Sequence, residues 1–184
     1  MRWNLPGTAL EVSSEELLSV EERLRALFLA GGITLSQVSA ITGLEAYTIQ
    51  NWVKRGFLTN PQQKRYSLRQ LCRILNINML KDALAMEQIC GLMSYINGHL
   101  DDEADDIIDD TELYFMFLRL AIHHRDLQEP AQLDKLLQQS LADYREPFPG
   151  AGERIQQVLR IMLTAWAAAQ LRQTAEKMIK ELKK

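Results

Sequence analysis

Two cysteines, Cys72 and Cys90, and three histidines are all that 184 residues offer as soft metal ligands. The cysteines are too few and too far apart for a metal knuckle or a disulfide framework. Their apolar helical neighbours predict buried thiols in a reducing cytoplasm. No apolar run approaches the length of a bilayer span, so no membrane association is expected. Glu11, Glu15 and Glu16 occupy the stretch where a secretory signal would need its apolar core. Gly-rich phosphate loops and Ser-His-Asp or Cys-His arrangements are missing, so neither enzymatic activity, a metal nor a cofactor is expected. His123-His124-Arg125-Asp126 has the letters of a metal-dependent hydrolase dyad. Neighbouring helical residues point about 100° apart, however, so this reads as the polar end of a helix.

What the chain does have is an ordinary globular composition, 47% apolar and 24% charged. Its net charge of −3 conceals an asymmetry. Between Gly31 and Lys81 stand Lys54, Arg55, Lys64, Arg65, Arg69, Arg73 and Lys81 against the single acid Glu45, a net of +6 that leaves −9 for the remainder. Much of the deficit lies in Asp101, Asp102, Glu103, Asp105, Asp106, Asp109, Asp110 and Glu112. A basic segment in an acidic protein suggests a polyanion-binding face. The acidic run lacks the mid-loop Gly of a calcium loop and reads as a solvated connection, with Asp109 and Asp110 favouring the start of the next helix.

Helical periodicity covers most of the sequence. Ser13 with Glu16 forms a capping box that opens a leader helix, and Gly31-Gly32 closes it. Thr34 with Gln37 repeats the box for a short helix ending at Thr42-Gly43, and a second runs from about Glu45 to Arg55. Asn60-Pro61 makes the stretch from Phe57 to Tyr66 extended. Ser67 with Gln70 caps a helix striped by Leu71, Ile74, Leu75, Asn78 and Met79, and another spans about Met86 to Asn97. Beyond the acidic run follow helices marked by Leu113 and Phe117, by Pro130 and Leu137, and by Ile155, Val158 and Trp166. The last, from about Gly152 to Leu182, would be about 45 Å long, its stripe shifting phase to Leu171, Ala175, Met178 and Leu182.

The two short helices around Gly43 predict a helix-turn-helix, with Leu35, Val38, Ile41, Leu44, Ile49 and Trp52 packing them together. On the second helix, Tyr47, Thr48, Gln50, Asn51, Lys54 and Arg55 are then candidate DNA-binding residues. Gln and Asn suit adenine edges, while Lys and Arg suit phosphate or guanine. Lys64, Arg65 and Tyr66 complete the candidate set at the end of a wing, Tyr66 being expected to anchor it through phosphate contact.

Leu35-Ser36-Gln37-Val38, Ile41-Thr42-Gly43, Thr48-Ile49, Gly56-Phe57-Leu58 and Arg65-Tyr66-Ser67 followed by Leu71 resemble the winged head of MerR-type regulators. Ile49 to Gly56, Ile77 to Asp82 and Asp102 to Ile108 more closely resemble a bacterial domain-of-unknown-function family, number 1836, over roughly Thr34 to Leu118. The resemblance implies a regulator with a MerR-like head and no assigned ligand or operator. Where MerR recognition helices carry an Arg followed by paired aromatics, this chain has Gln50-Asn51-Trp52.

The expectation is an all-α protein: a leader over residues 1–32, a MerR-like winged helix-turn-helix over 33–98, and a helical dimerisation or sensing domain over 99–184. The expected function is cytoplasmic transcriptional regulation, with double-stranded DNA as partner, a homodimer as assembly and room for a small-molecule effector. The alternatives are a protein-interaction adaptor that retains the winged fold, and a small-molecule-binding protein with an apolar pocket in its carboxyl half.

Overall fold

The computed structural model describes residues 2–13, 16, 19–100, 102, 105–122 and 130–182. It is mostly helical, with two small antiparallel sheets of two strands each.

The amino-terminal segment differs from the expected leader helix. Strands β1 (Arg2–Asn4) and β2 (Glu11–Ser13) pair as a hairpin before any helix of length begins. Three-residue strands carry too little alternation to register against a capping signal. The box itself forms: Ser13 N donates to Glu16 Oε2 at 2.8 Å and Glu16 N to Ser13 Oγ at 3.2 Å. Helix α1 follows at Val20–Leu27. The hairpin loop is held from three directions, because Tyr114 Oη donates to Pro6 O (2.8 Å), Asn78 Nδ2 to Gly7 O (2.9 Å) and Ala9 N to Ile41 O (2.9 Å). Gly7, at φ +76°, passes so close to the central helix that a Cβ would lie 2.4 Å from Leu75 O.

Strand β3 (Ile33–Thr34) leads directly into α2 (Leu35–Thr42), capped by Thr34 and Gln37 as anticipated. Gly43 at φ +71° ends it in the left-handed conformation, and α3 (Ala46–Lys54) begins three residues later. Val38, Ile49 and Trp52 are buried where α2 and α3 meet, while Leu35, Ile41 and Leu44 are half-buried against the same core. Of the extended stretch, only β4 (Arg65–Tyr66) is strand, paired with Thr34 and Ile33.

Helix α4 (Leu68–Leu80), with its Ser67–Gln70 capping box, is the axis of the molecule. The expected stripe is too narrow: every residue from Leu71 to Ile77 is buried, including Arg73 and Asn76. It is enclosed by α6 (Asp110–Ala121) most extensively, and by α2, α5 (Met86–Asn97) and α8 (Ala151–Glu181). Helix α7 (Pro130–Ser140) closes the side between α6 and α8. One continuous apolar core runs from Leu5 to Trp166. Helix α8 buries Ile155, Val158, Leu159, Met162, Trp166 and Ala169, and beyond Ala169 nearly every residue to Leu182 is exposed. Among the described residues, no helix is long and apolar enough to cross a membrane.

Candidate nucleic-acid interface

Helix α3 buries only Ile49 and Trp52. Val53 packs half-buried beside them, while Tyr47, Gln50, Asn51, Lys54 and Arg55 are exposed. Tyr47 is 71% exposed, far more than a tyrosine placed for packing. Thr48, also a candidate, is half-buried. Arg55 turns back over the Phe57 ring, 4.6 Å from its centroid, and approaches Glu87 at 4.0 Å. Lys54 has no ion pair among the described residues.

The segment after α3 makes a tight reversal. Gln62 bridges Arg65, with Arg65 N donating to Gln62 O at 2.8 Å, and the intervening Gln63 and Lys64 sit at φ 49° and 63°. Two successive left-handed residues define the hairpin turn whose twist matches its strands, a position that Asn-Gly fills without strain. Here the left-handed residues are long and polar, and both are exposed. Arg65 Nη1 donates to Gly32 O at 2.7 Å, tying β4 to the start of β3.

Tyr66 overturns the expectation placed on it. It is 3% exposed, and burial raises its hydroxyl pKa. Alternation along a strand explains the outcome: with Arg65 facing outward, Tyr66 must face the core.

The acidic run also differs from the expected solvated connection. Asp109 does cap α6, accepting from Thr111 N at 2.6 Å and Glu112 N at 3.2 Å. Asp106 and Asp110, however, turn inward onto α4, where both side chains are almost closed to solvent. Arg69 pairs with Asp106 and lies 3.9 Å from Asp110, and Arg73 Nη1 reaches Asp110 Oδ2 at 3.3 Å. Burial lifts the Asp106 carboxyl to about 6 against the opposing pull of Arg69, and it raises Asp110 as well. Arg69 and Arg73, both credited to a polyanion-binding face, are therefore engaged inside the protein. Lys81 lies 3.5 Å from Asp82. The remaining exposed cations of that segment are Lys54 and Arg55 on α3, and Lys64 and Arg65 at the turn.

A cavity of about 630 Å³ lies behind the turn, lined by Gly32, Leu58, Gln63, Arg65, Arg69, Arg73 and Asp110 among others. Cys72 is buried as expected, with its thiol pKa pushed up by desolvation, whereas Cys90 is only half-buried. Cys90 lies on a helix that α8 covers only in part, so one edge meets solvent. His123 and His124 lie outside the described residues.

Comparison with known proteins places these features in a family context without assigning them a role. No solved structure matches the chain. The chain is similar to an uncharacterized protein, YkrK, of Bacillus subtilis (strain 168), with 25% identity over 162 residues covering 82% of this chain and 70% of the relative. Residues 32–117, from the turn before β3 to the middle of α6, match the family described as Domain of unknown function (DUF1836).

Proposed function

We propose that the protein is a DNA-binding transcriptional regulator whose segment from Ile33 to Tyr66 works as a winged helix-turn-helix with a MerR-like head. The observation that carries this reading is the outward face of α3. Tyr47, Gln50, Asn51 and Lys54 are exposed on one short helix that is fixed in the core by Ile49 and Trp52, with Val53 half-buried beside them. Such a helix inserts into a major groove, its amides reading adenine edges and its Lys meeting phosphate. Lys64 and Arg65 extend the contact to the backbone from the turn. With Arg69 and Arg73 paired to Asp106 and Asp110, the exposed cations beside the outward face of α3 are Lys54 and Arg55 on the helix and Lys64 and Arg65 at the turn, a localised set that suits phosphate contact.

Duplex binding by fluorescence anisotropy tests the proposal. Binding that weakens steeply with salt and is lost in the doubly substituted Lys54→Ala, Lys64→Ala protein supports it. No binding at low salt supports the second reading, a protein-interaction adaptor, which the exposed Tyr47 ring also favours.

A further inference from the structure

Arg65, Arg69 and Arg73 all line the cavity of about 630 Å³ behind the turn, together with Asp110. Two carboxylates answer these three guanidiniums: Arg69 pairs with Asp106, and Arg73 with Asp110. Arg65 meets no carboxylate among the described residues, and its side chain donates there only to Gly32 O. One positive charge is therefore left over in the cavity wall. Arg73 adds an unmet donor. Its side chain is 8% exposed, its Nε donates to Phe57 O and its Nη1 to Asp110, whereas its Nη2 donates to nothing among the described residues. That nitrogen is not sealed inside the protein either, so it opens onto the cavity that Arg73 lines. A guanidinium fixed at two corners presents the third with little freedom left to lose on binding. The amino-terminal end of α4, with Ser67 and Gln70 in the wall, adds a positive field.

The rest of the wall suits hydroxyl groups. The side-chain amides of Asn60, Gln62 and Gln63 hydrogen-bond nothing among the described residues, and each can both donate and accept. No aromatic ring among the described residues lines the cavity, so a nucleobase or other flat ring finds no stacking surface. The volume lies within the range of about 300–1,000 Å³ usual for small-molecule sites.

We propose that this cavity binds the phosphate ester of a small hydroxylated molecule, a sugar or polyol phosphate, with the phosphoryl group between Arg65 and Arg73 and the hydroxyls on the amides of Asn60, Gln62 and Gln63. A phosphoryl group suits the site better than a carboxylate. Its three terminal oxygens point apart, so guanidiniums from two elements, β4 and α4, can each engage one. The bound ester matches the surplus charge and joins the turn to the axial helix. Lys64 does not line the cavity, so ester binding is separable from the duplex binding proposed above.

Calorimetric titration of the full chain with glucose 6-phosphate, inorganic phosphate and glucose tests the site. Glucose 6-phosphate should bind once per chain with a submillimolar Kd, at least about 10-fold tighter than phosphate alone, and glucose should not bind. Arg65→Gln changes an exposed side chain, and Arg73→Lys keeps a cation beside Asp110 while removing the free corner. Each should weaken ester binding by about 10-fold with circular dichroism unchanged, and Lys64→Ala should leave it intact. Should Arg73→Lys perturb the fold, Arg65→Gln alone decides. No ester binding up to about 10 mM, phosphate binding as tightly as the ester, or affinity indifferent to Arg65→Gln would each overturn the proposal. So would a loss in Lys64→Ala equal to that in Arg65→Gln, which would put the anion on the outer face of the turn.

Discussion

Arg73 and Asp110, 37 residues apart in sequence, meet in a site almost closed to solvent, with Arg73 Nη1 donating to both carboxylate oxygens at 3.3 and 3.4 Å. Arg73 Nε donates to Phe57 O at 3.0 Å, so the same side chain holds the end of α3 to the start of α6. Removing either partner strands a buried charge. Asp110→Ala should destabilise the chain by about 3–5 kcal/mol in urea denaturation, whereas the double replacement Arg73→Met, Asp110→Leu should cost less than the single one. Equal losses in the single and double variants would show that the pair does not act as a unit.

Asp106 gives the cluster a pH signature. Its carboxyl is raised to about 6 by burial, against about 3.9 in an unfolded chain. Between those values the folded protein holds a proton that the unfolded one has released. The group therefore favours folding most fully below about pH 4, and that contribution is lost as pH rises through 6. Asp106→Asn should flatten the pH dependence of the thermal midpoint across this window relative to wild type. A steeper dependence in the variant would contradict the assignment.

The turn at Gln63 and Lys64 separates stability from binding. Both residues are left-handed, a conformation that costs a side-chain-bearing residue about 1–2 kcal/mol. Lys64→Gly should stabilise the fold by about 1 kcal/mol in chemical denaturation while weakening duplex binding. A variant that is both more stable and equally strong in binding would remove Lys64 from the interface.

Asn51 and Lys54 should divide the labour of recognition. Lys54→Ala is expected to weaken binding on every duplex alike, whereas Asn51→Ala should change which duplexes are preferred. Competition with a panel of sequences reads the difference, and a uniform loss for Asn51→Ala would assign it no base contact.

Local features of this fold are legible in the sequence and long-range ones are not. The boxes Thr34–Gln37 and Ser67–Gln70 form as their spacing predicts, because a cap depends on residues three apart. Gly43 ends its helix locally too, in the left-handed conformation that its missing side chain allows. The hairpin of β1 and β2 escapes a sequence reading, since each strand is three residues long and its fixing contacts, to Ile41, Asn78 and Tyr114, are distant. The basic neighbour Arg65 draws Tyr66 toward the surface on paper, although strand alternation gives adjacent residues opposite faces. Arg69 and Arg73 add to a cationic total until the fold brings Asp106 and Asp110 to them. Charge totals carry no information about who faces whom.

Duplex binding by α3 and the turn at Lys64 is tested most directly by its salt dependence. Anisotropy titrations over a range of salt should give a linear loss of log affinity with log salt, and its slope should fall by about 1 for each of Lys54→Ala and Lys64→Ala. Binding whose salt slope is unchanged in both variants, or no duplex binding at low salt, would contradict the account.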